Sequence, residues 1–168
     1  MVKMKTLFLV RHAKSSWKYP NLDDFERPLN KRGRKSAPLM GKILEKLKVT
    51  PDLVISSPAN RAAMTARVIA AKIKYPLDKI RYSEAIYEFS ANVLIHFIEQ
   101  IDDAVDKAMV VGHNPALTDL ANFFGGKPIS NIPTCGVFCV DLDISSWSII
   151  SEHCGTLIFF EFPKKHAS

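Results

Sequence analysis

Imidazole is a nucleophile and a proton carrier near neutral pH, and guanidinium grips phosphoryl oxygens through two parallel hydrogen bonds. The sequence offers both groups in a pattern. Arg11-His12 follows the apolar run Thr6 to Val10, Arg61 follows Ser56-Ser57-Pro58, and His113 stands in Gly112-His113-Asn114 directly after Met109 to Val111. The chemistry that needs such a set is phosphoryl transfer, in which a neutral imidazole attacks phosphorus while cations hold the oxygens. Like-charge repulsion from Arg11 and Arg61 disfavours the imidazolium form and lowers the histidine pKa. One ring nitrogen attacks. The other needs an acceptor to fix the tautomer, and a backbone carbonyl in the loop after Ala13 is the candidate. A metal site is poorly supported, because no Asp or Glu lies within three residues of His12 or His113 and neither HxH nor HExxH occurs.

These side chains meet only if the elements carrying them are neighbours. Thr6 to Val10, Leu53 to Ile55, Ile80 to Ser83 and Met109 to Val111 are short β-rich runs that read as strands. Between them lie helical patterns. Asn30 caps a helix with Ala37, Met40, Ile43, Leu44 and Leu47 on one face, in which Pro38 predicts a kink or a later start at Ser36. Ser57-Pro58 predicts a capping serine with proline at the first helical position, and Asn114-Pro115 repeats that start for a helix that Gly125-Gly126 ends. Ser90 caps a helix with Val93, Leu94, Phe97, Ile98 and Ile101 on its apolar side. Val137 to Leu142, Ser148 to Ile150 and Thr156 to Phe162 read as strands in an antiparallel edge. The alternation predicts an α/β fold, a mostly parallel sheet with helices on both faces and C-terminal antiparallel strands. Ligands of open α/β sheets bind at the C-terminal ends of the strands, where the two arginines and two histidines stand. Helix N-termini add unpaired N–H groups there, so the site suits an anion. The polar, aromatic stretch from Arg11 to Arg27 has no helical period and reads as a functional loop.

Composition bounds the rest. At 168 residues, 47% hydrophobic and 24% charged, the chain is expected to form a single domain, residues 1–168, with a core that needs no metal or disulfide staples. Three cysteines without a CxxC read as reduced thiols. The net charge of +6 comes from scattered basic residues, which suits a small anionic ligand and not nucleic acid. No apolar run approaches the roughly 20 residues of a membrane span, and no leader with a cleavage site is seen, so a cytoplasmic location is expected. His96, His153 and His166 lack catalytic company and read as structural or exposed, and Lys31, Arg32, Arg34 and Lys35 read as a solvated helix start.

Taken in order, Thr6 to Trp17 (TLFLVRHAKSSW), Arg27-Pro28-Leu29-Asn30 to Gly33, Ser56-Ser57-Pro58 to Arg61, Thr65-Ala66 and Val110 to Pro115 (VVGHNP) resemble the histidine phosphatase superfamily, and within it the SixA-like phosphohistidine phosphatase branch. The resemblance runs from Thr6 to about Leu120 and is weaker beyond. It implies a phosphoglycerate mutase-like fold, His12 as the phosphorylated nucleophile, Arg11, Arg61 and His113 on the phosphoryl oxygens, and neither metal nor cofactor. Ser15 matches a hydroxyl position that touches phosphate in this superfamily. Ala13 replaces the commoner glycine after the histidine, and Lys18 stands where larger relatives often have asparagine.

Larger relatives carry a proton-donating glutamate between the second arginine and the second histidine, and Glu88 is the matching position; Glu84, Asp24 and Glu26 are alternatives. A general acid near pH 7 needs a raised carboxyl pKa, which burial beside Tyr87 and Phe89 supplies. A phosphohistidine P–N bond breaks more readily than a phosphate ester and asks less of that acid. The expectation is therefore a metal-independent phosphatase for a phosphorylated protein, with phosphatase or mutase action on small phosphate esters, or non-catalytic phosphoprotein binding, as alternatives. Arg27 is expected to hold the loop by pairing with Asp23 or Asp24.

Overall fold

The computed structural model describes residues 4–87 and 90–166. Its centre is one six-stranded sheet: β1 (Lys5–Arg11), β2 (Leu53–Ser56), β3 (Arg81–Tyr82), β4 (Lys107–Gly112), β5 (Val137–Leu142) and β6 (Gly155–Glu161). The spatial order is β3-β2-β4-β1-β5-β6, with the first four parallel and β5 and β6 antiparallel to their neighbours. The chain steps outward from β1 to β2 and β3, then returns to insert β4 between β2 and β1. Such a reversal opens a crevice at the C-terminal strand ends.

Period-2 alternation explains how short strands bury two faces. Leu7 and Leu9 of β1 point to one core and Phe8 and Val10 to the other. The first core is closed by α3 (Ala91–Glu99) and α4 (Ala116–Phe123), through Leu94, Ile98, Leu117 and Leu120. The second is closed by α1 (Lys31–Lys46) and α2 (Asn60–Lys72), through Met40, Leu44, Ala66 and Ile69. Phe124 and Phe160 belong to the first core, as apolar filling.

Asn30 caps α1, its Oδ1 accepting from the Gly33 N–H at 2.9 Å, and the helix continues through Pro38, so Ser36 is not its start. Ser57 is not the cap of α2. Its Oγ accepts from the Ala59 N–H at 3.1 Å and closes a turn, and the helix begins at Asn60. At α4 the cap position is Pro115, while the Asn114 side chain still accepts from the Thr118 N–H at 3.2 Å. Val93 stands 37% exposed and outside the core, and Ser148 lies in a short helical turn, Trp147–Ile149, where a strand was expected: the buried Trp147 ring donates to the Val105 carbonyl and turns the chain inward. Among the described residues no helix is long and apolar enough to cross a membrane.

Candidate active site

The register of β1 on β4 sets Arg11 against Gly112, so His12 and His113 leave neighbouring strands side by side. The His12 N–H donates to the Gly112 carbonyl at 3.0 Å, and the two imidazole centroids lie 5.2 Å apart. His12 Nδ1 lies 2.7 Å from the Ala13 carbonyl oxygen. A carbonyl only accepts, so Nδ1 carries the proton and Nε2 keeps its lone pair. Burial, with smaller contributions from Arg61 and Arg11, holds the His12 pKa down to about 4, against the backbone bond, which raises it. The expected neutral ring is therefore owed first to burial and only then to the arginines.

His113 Nε2 pairs with Ser57 Oγ at 2.8 Å. Burial, then His12 and Arg61, hold its pKa down to about 3. Ser57 follows β2, so three adjacent strands contribute to one point. Arg61, in the first turn of α2, and Arg11, at the end of β1, are anchored through their Nη groups: Arg11 Nη1 donates to the Ile132 carbonyl at 3.0 Å, and Arg61 Nη1 and Nη2 donate to the Asp24 carbonyl at 2.7 Å and to Asp24 Oδ2 at 2.9 Å. Their Nε–H groups are buried and meet no hydrogen-bonding partner among the described residues. Both guanidinium groups line the cleft that holds His12 and His113, where paired N–H donors and positive charge suit an anion. Cys135, whose N–H donates to the His12 carbonyl, has its thiol pushed up to about 12 by burial and does not compete as a nucleophile.

The loop after His12 closes one side. Arg27 Nε and Nη2 hold Asp24 Oδ1 at 3.2 and 3.1 Å, which selects Asp24 over Asp23 as its partner, and Nη1 donates to Ser15 Oγ at 2.8 Å. The Tyr87 hydroxyl donates to Asp24 Oδ2 at 2.8 Å. Partial burial pushes the Asp24 carboxyl up, but the bonds from Tyr87 and Arg61 outweigh it and leave the pKa at about 2. Asp24 is thus an ionised anchor and holds no proton to donate near neutral pH.

Arg11, His12, Ser15, Arg61 and His113 line one cleft of about 610 Å³. That volume admits a phosphoryl group together with the side chain carrying it. Asp24 is the carboxylate that lines it among the described residues; Glu84 and Glu26 are exposed outside it, and Glu88 lies outside the described residues. No three His, Cys, Asp or Glu among the described residues group as metal ligands would.

Thr65 has a role that no motif assigns: its Oγ1 accepts from the Ala13 N–H at 2.9 Å and donates to the Arg61 carbonyl at 2.8 Å, tying the loop after His12 to α2. Its place one helical turn after Arg61 was the available signal. Gly33 is a second such residue. A Cβ there would lie 2.1 Å from the Lys14 carbonyl oxygen, two residues from His12. Gly33→Ala is expected to displace that loop, costing about 1–3 kcal/mol in denaturant unfolding and lowering kcat/KM on any substrate; unchanged stability and activity would show that the loop yields freely.

The family model for the histidine phosphatase superfamily (branch 1) matches residues 7–95. An uncharacterised protein of Mycobacterium tuberculosis is 30% identical over 166 residues, covering 92% of this chain and 100% of its own. A crystal structure assigned as the phosphohistidine phosphatase SixA of Agrobacterium tumefaciens superposes with a TM-score of 0.80 at 27% identity, over 95% of this chain and 98% of that one. A phosphoglycerate mutase from Bacillus anthracis shares the fold at a TM-score of 0.70 and 14% identity, over 88% of this chain and 95% of its own.

Proposed function

This chain belongs to the histidine phosphatase superfamily, and from that premise we propose that it is a metal-independent phosphohydrolase whose substrate is a phosphohistidine in a protein. In the first step His12 Nε2 forms a bond to phosphorus as the substrate P–N bond breaks, and the departing imidazole takes up a proton. In the second a water oxygen attacks phosphorus, the Nε2–P bond breaks, and the water proton leaves with inorganic phosphate or solvent. Arg11, Arg61 and His113 bind the phosphoryl oxygens, and Ser15 extends that set. Glu88 is the proposed proton donor, on which a P–N substrate makes a small demand.

The observation that carries this reading is the fixed tautomer of His12, whose Nδ1–H is committed to the Ala13 carbonyl in a cleft that the Arg11 and Arg61 side chains also line. A non-catalytic phosphate binder has no use for a neutral imidazole held in an attacking tautomer. Likeness to SixA and an ionised Asp24 favour the P–N substrate over esters. The test is turnover of a phosphohistidine-bearing protein beside p-nitrophenyl phosphate and sugar phosphates, with a chelator present. The highest kcat/KM is expected for phosphohistidine. A preference for sugar phosphates points to the small-ester alternative, and tight binding without turnover points to a binding module.

The pH profile follows from the same ring. Only neutral His12 attacks, so activity is present above its pKa and lost as the ring takes a proton. With the pKa lowered to about 4, the acid limb of kcat/KM is expected well below the ordinary imidazole value, and activity stays flat from pH 7 to pH 5. A limb near pH 6.5 would mean that the attacking group is not this buried imidazole.

A further inference from the structure

We propose that the Trp17 indole is a specificity-determining platform on which the planar ring of the leaving group stacks, so that phosphohistidine is recognised by its imidazole as well as by its phosphoryl group; this rests on the function proposed above. Trp17 lines the same cleft as His12, Arg11, Arg61 and His113. It is 78% exposed where His12 is 8% exposed, so the nucleophile lies at the floor and the indole at the rim. In-line displacement drives the leaving group away from the attacking nitrogen, from floor towards rim.

One face of the indole is already occupied. The Arg27 guanidinium carbon lies 3.6 Å from the ring centroid, within cation–π distance. Arg27 is itself 7% exposed and held by Asp24 and Ser15, so the indole rests on a fixed plate. With that face covered, the exposed area belongs to the opposite face and the ring edges. A second cation there would be repelled by Arg27 through the ring, whereas a neutral planar ring gains an offset stack. Neutral imidazole meets that condition, and a lysine or arginine side chain does not.

The test compares Trp17→Ala and Trp17→Phe with the unaltered chain on a phosphohistidine peptide and on phosphoramidate, which has the same labile P–N bond and no ring. Trp17→Ala is expected to raise KM for the peptide about tenfold, the scale of one lost aromatic stack with its buried area, while kcat changes little. The loss on phosphoramidate is expected to be smaller by about that same factor, and Trp17→Phe to recover most of the peptide KM. Equal losses on both substrates would overturn the platform, because Trp17 would then act by holding Arg27 and the phosphate pocket; so would no loss on either. If the unaltered protein turns over esters but neither P–N compound, the proposed function fails. The platform is then tested by p-nitrophenyl phosphate against glycerol phosphate, where a uniform loss overturns it and a loss confined to the ring-bearing ester supports it.

Discussion

His12→Ala is expected to lower kcat by at least about 10⁴-fold, since it removes the proposed nucleophile and no neighbouring side chain is placed to substitute. His113 is the nearest imidazole, but its Nε2 is engaged with Ser57 Oγ. The Cys135 thiol stays protonated, and Asp24 is bound by Arg61, Arg27 and Tyr87. The fold should survive, because the ring makes one hydrogen bond of its own and the β1 to β4 ladder is backbone. Far-ultraviolet circular dichroism and the unfolding midpoint separate a lost nucleophile from a lost fold. A folded His12→Ala protein with undiminished turnover would remove His12 from the mechanism.

Arg61→Gln has the second largest expected effect and a more specific signature. Charge-assisted hydrogen bonds are worth about 1.5–3 kcal/mol each, so losing the fork lowers kcat/KM by about a hundredfold or more if the bonds tighten in the transition state. Arg61 is also the leading charge that holds His12 neutral after burial. Removing it relieves a repulsion, so the His12 pKa rises and the acid limb of the profile moves upward. Both shifts belong together. A drop in rate with an unmoved acid limb would mean that Arg61 and His12 do not share a field, against the geometry. Arg61→Lys keeps the charge without the planar fork, and is expected to restore the limb better than the rate.

Residues at the strand ends were the most legible part of the site. TLFLV is followed at once by Arg11-His12 and the MVV run, after Gly112, by His113-Asn114, and parallel packing brings those followers together whatever the loops do. The acceptor for the second ring nitrogen of His12 was expected in the loop after Ala13; it is instead the carbonyl of Ala13 itself, next in the chain to His12. Long-range side-chain choices were not legible. Asp24 reaching Arg61 across the fold, Tyr87 reaching Asp24 and Trp17 lying on Arg27 depend on how an aperiodic loop folds back, and no local pattern encodes it. Local rules also lost to tertiary packing at Ser57, where the expected cap became a turn and a partner for His113, and at Ser148, where the buried Trp147 drew the chain into a helical turn.

Everything proposed for this protein turns on transfer of the phosphoryl group to one nitrogen, Nε2 of His12. Rapid mixing with radiolabelled phosphohistidine protein, followed by an alkaline quench and peptide mapping, tests it directly. A transient, acid-labile label is expected on His12, bonded at Nε2, decaying as inorganic phosphate appears and never forming in His12→Ala. Stoichiometric phosphate release with no labelled enzyme, or label on any other residue, would contradict it.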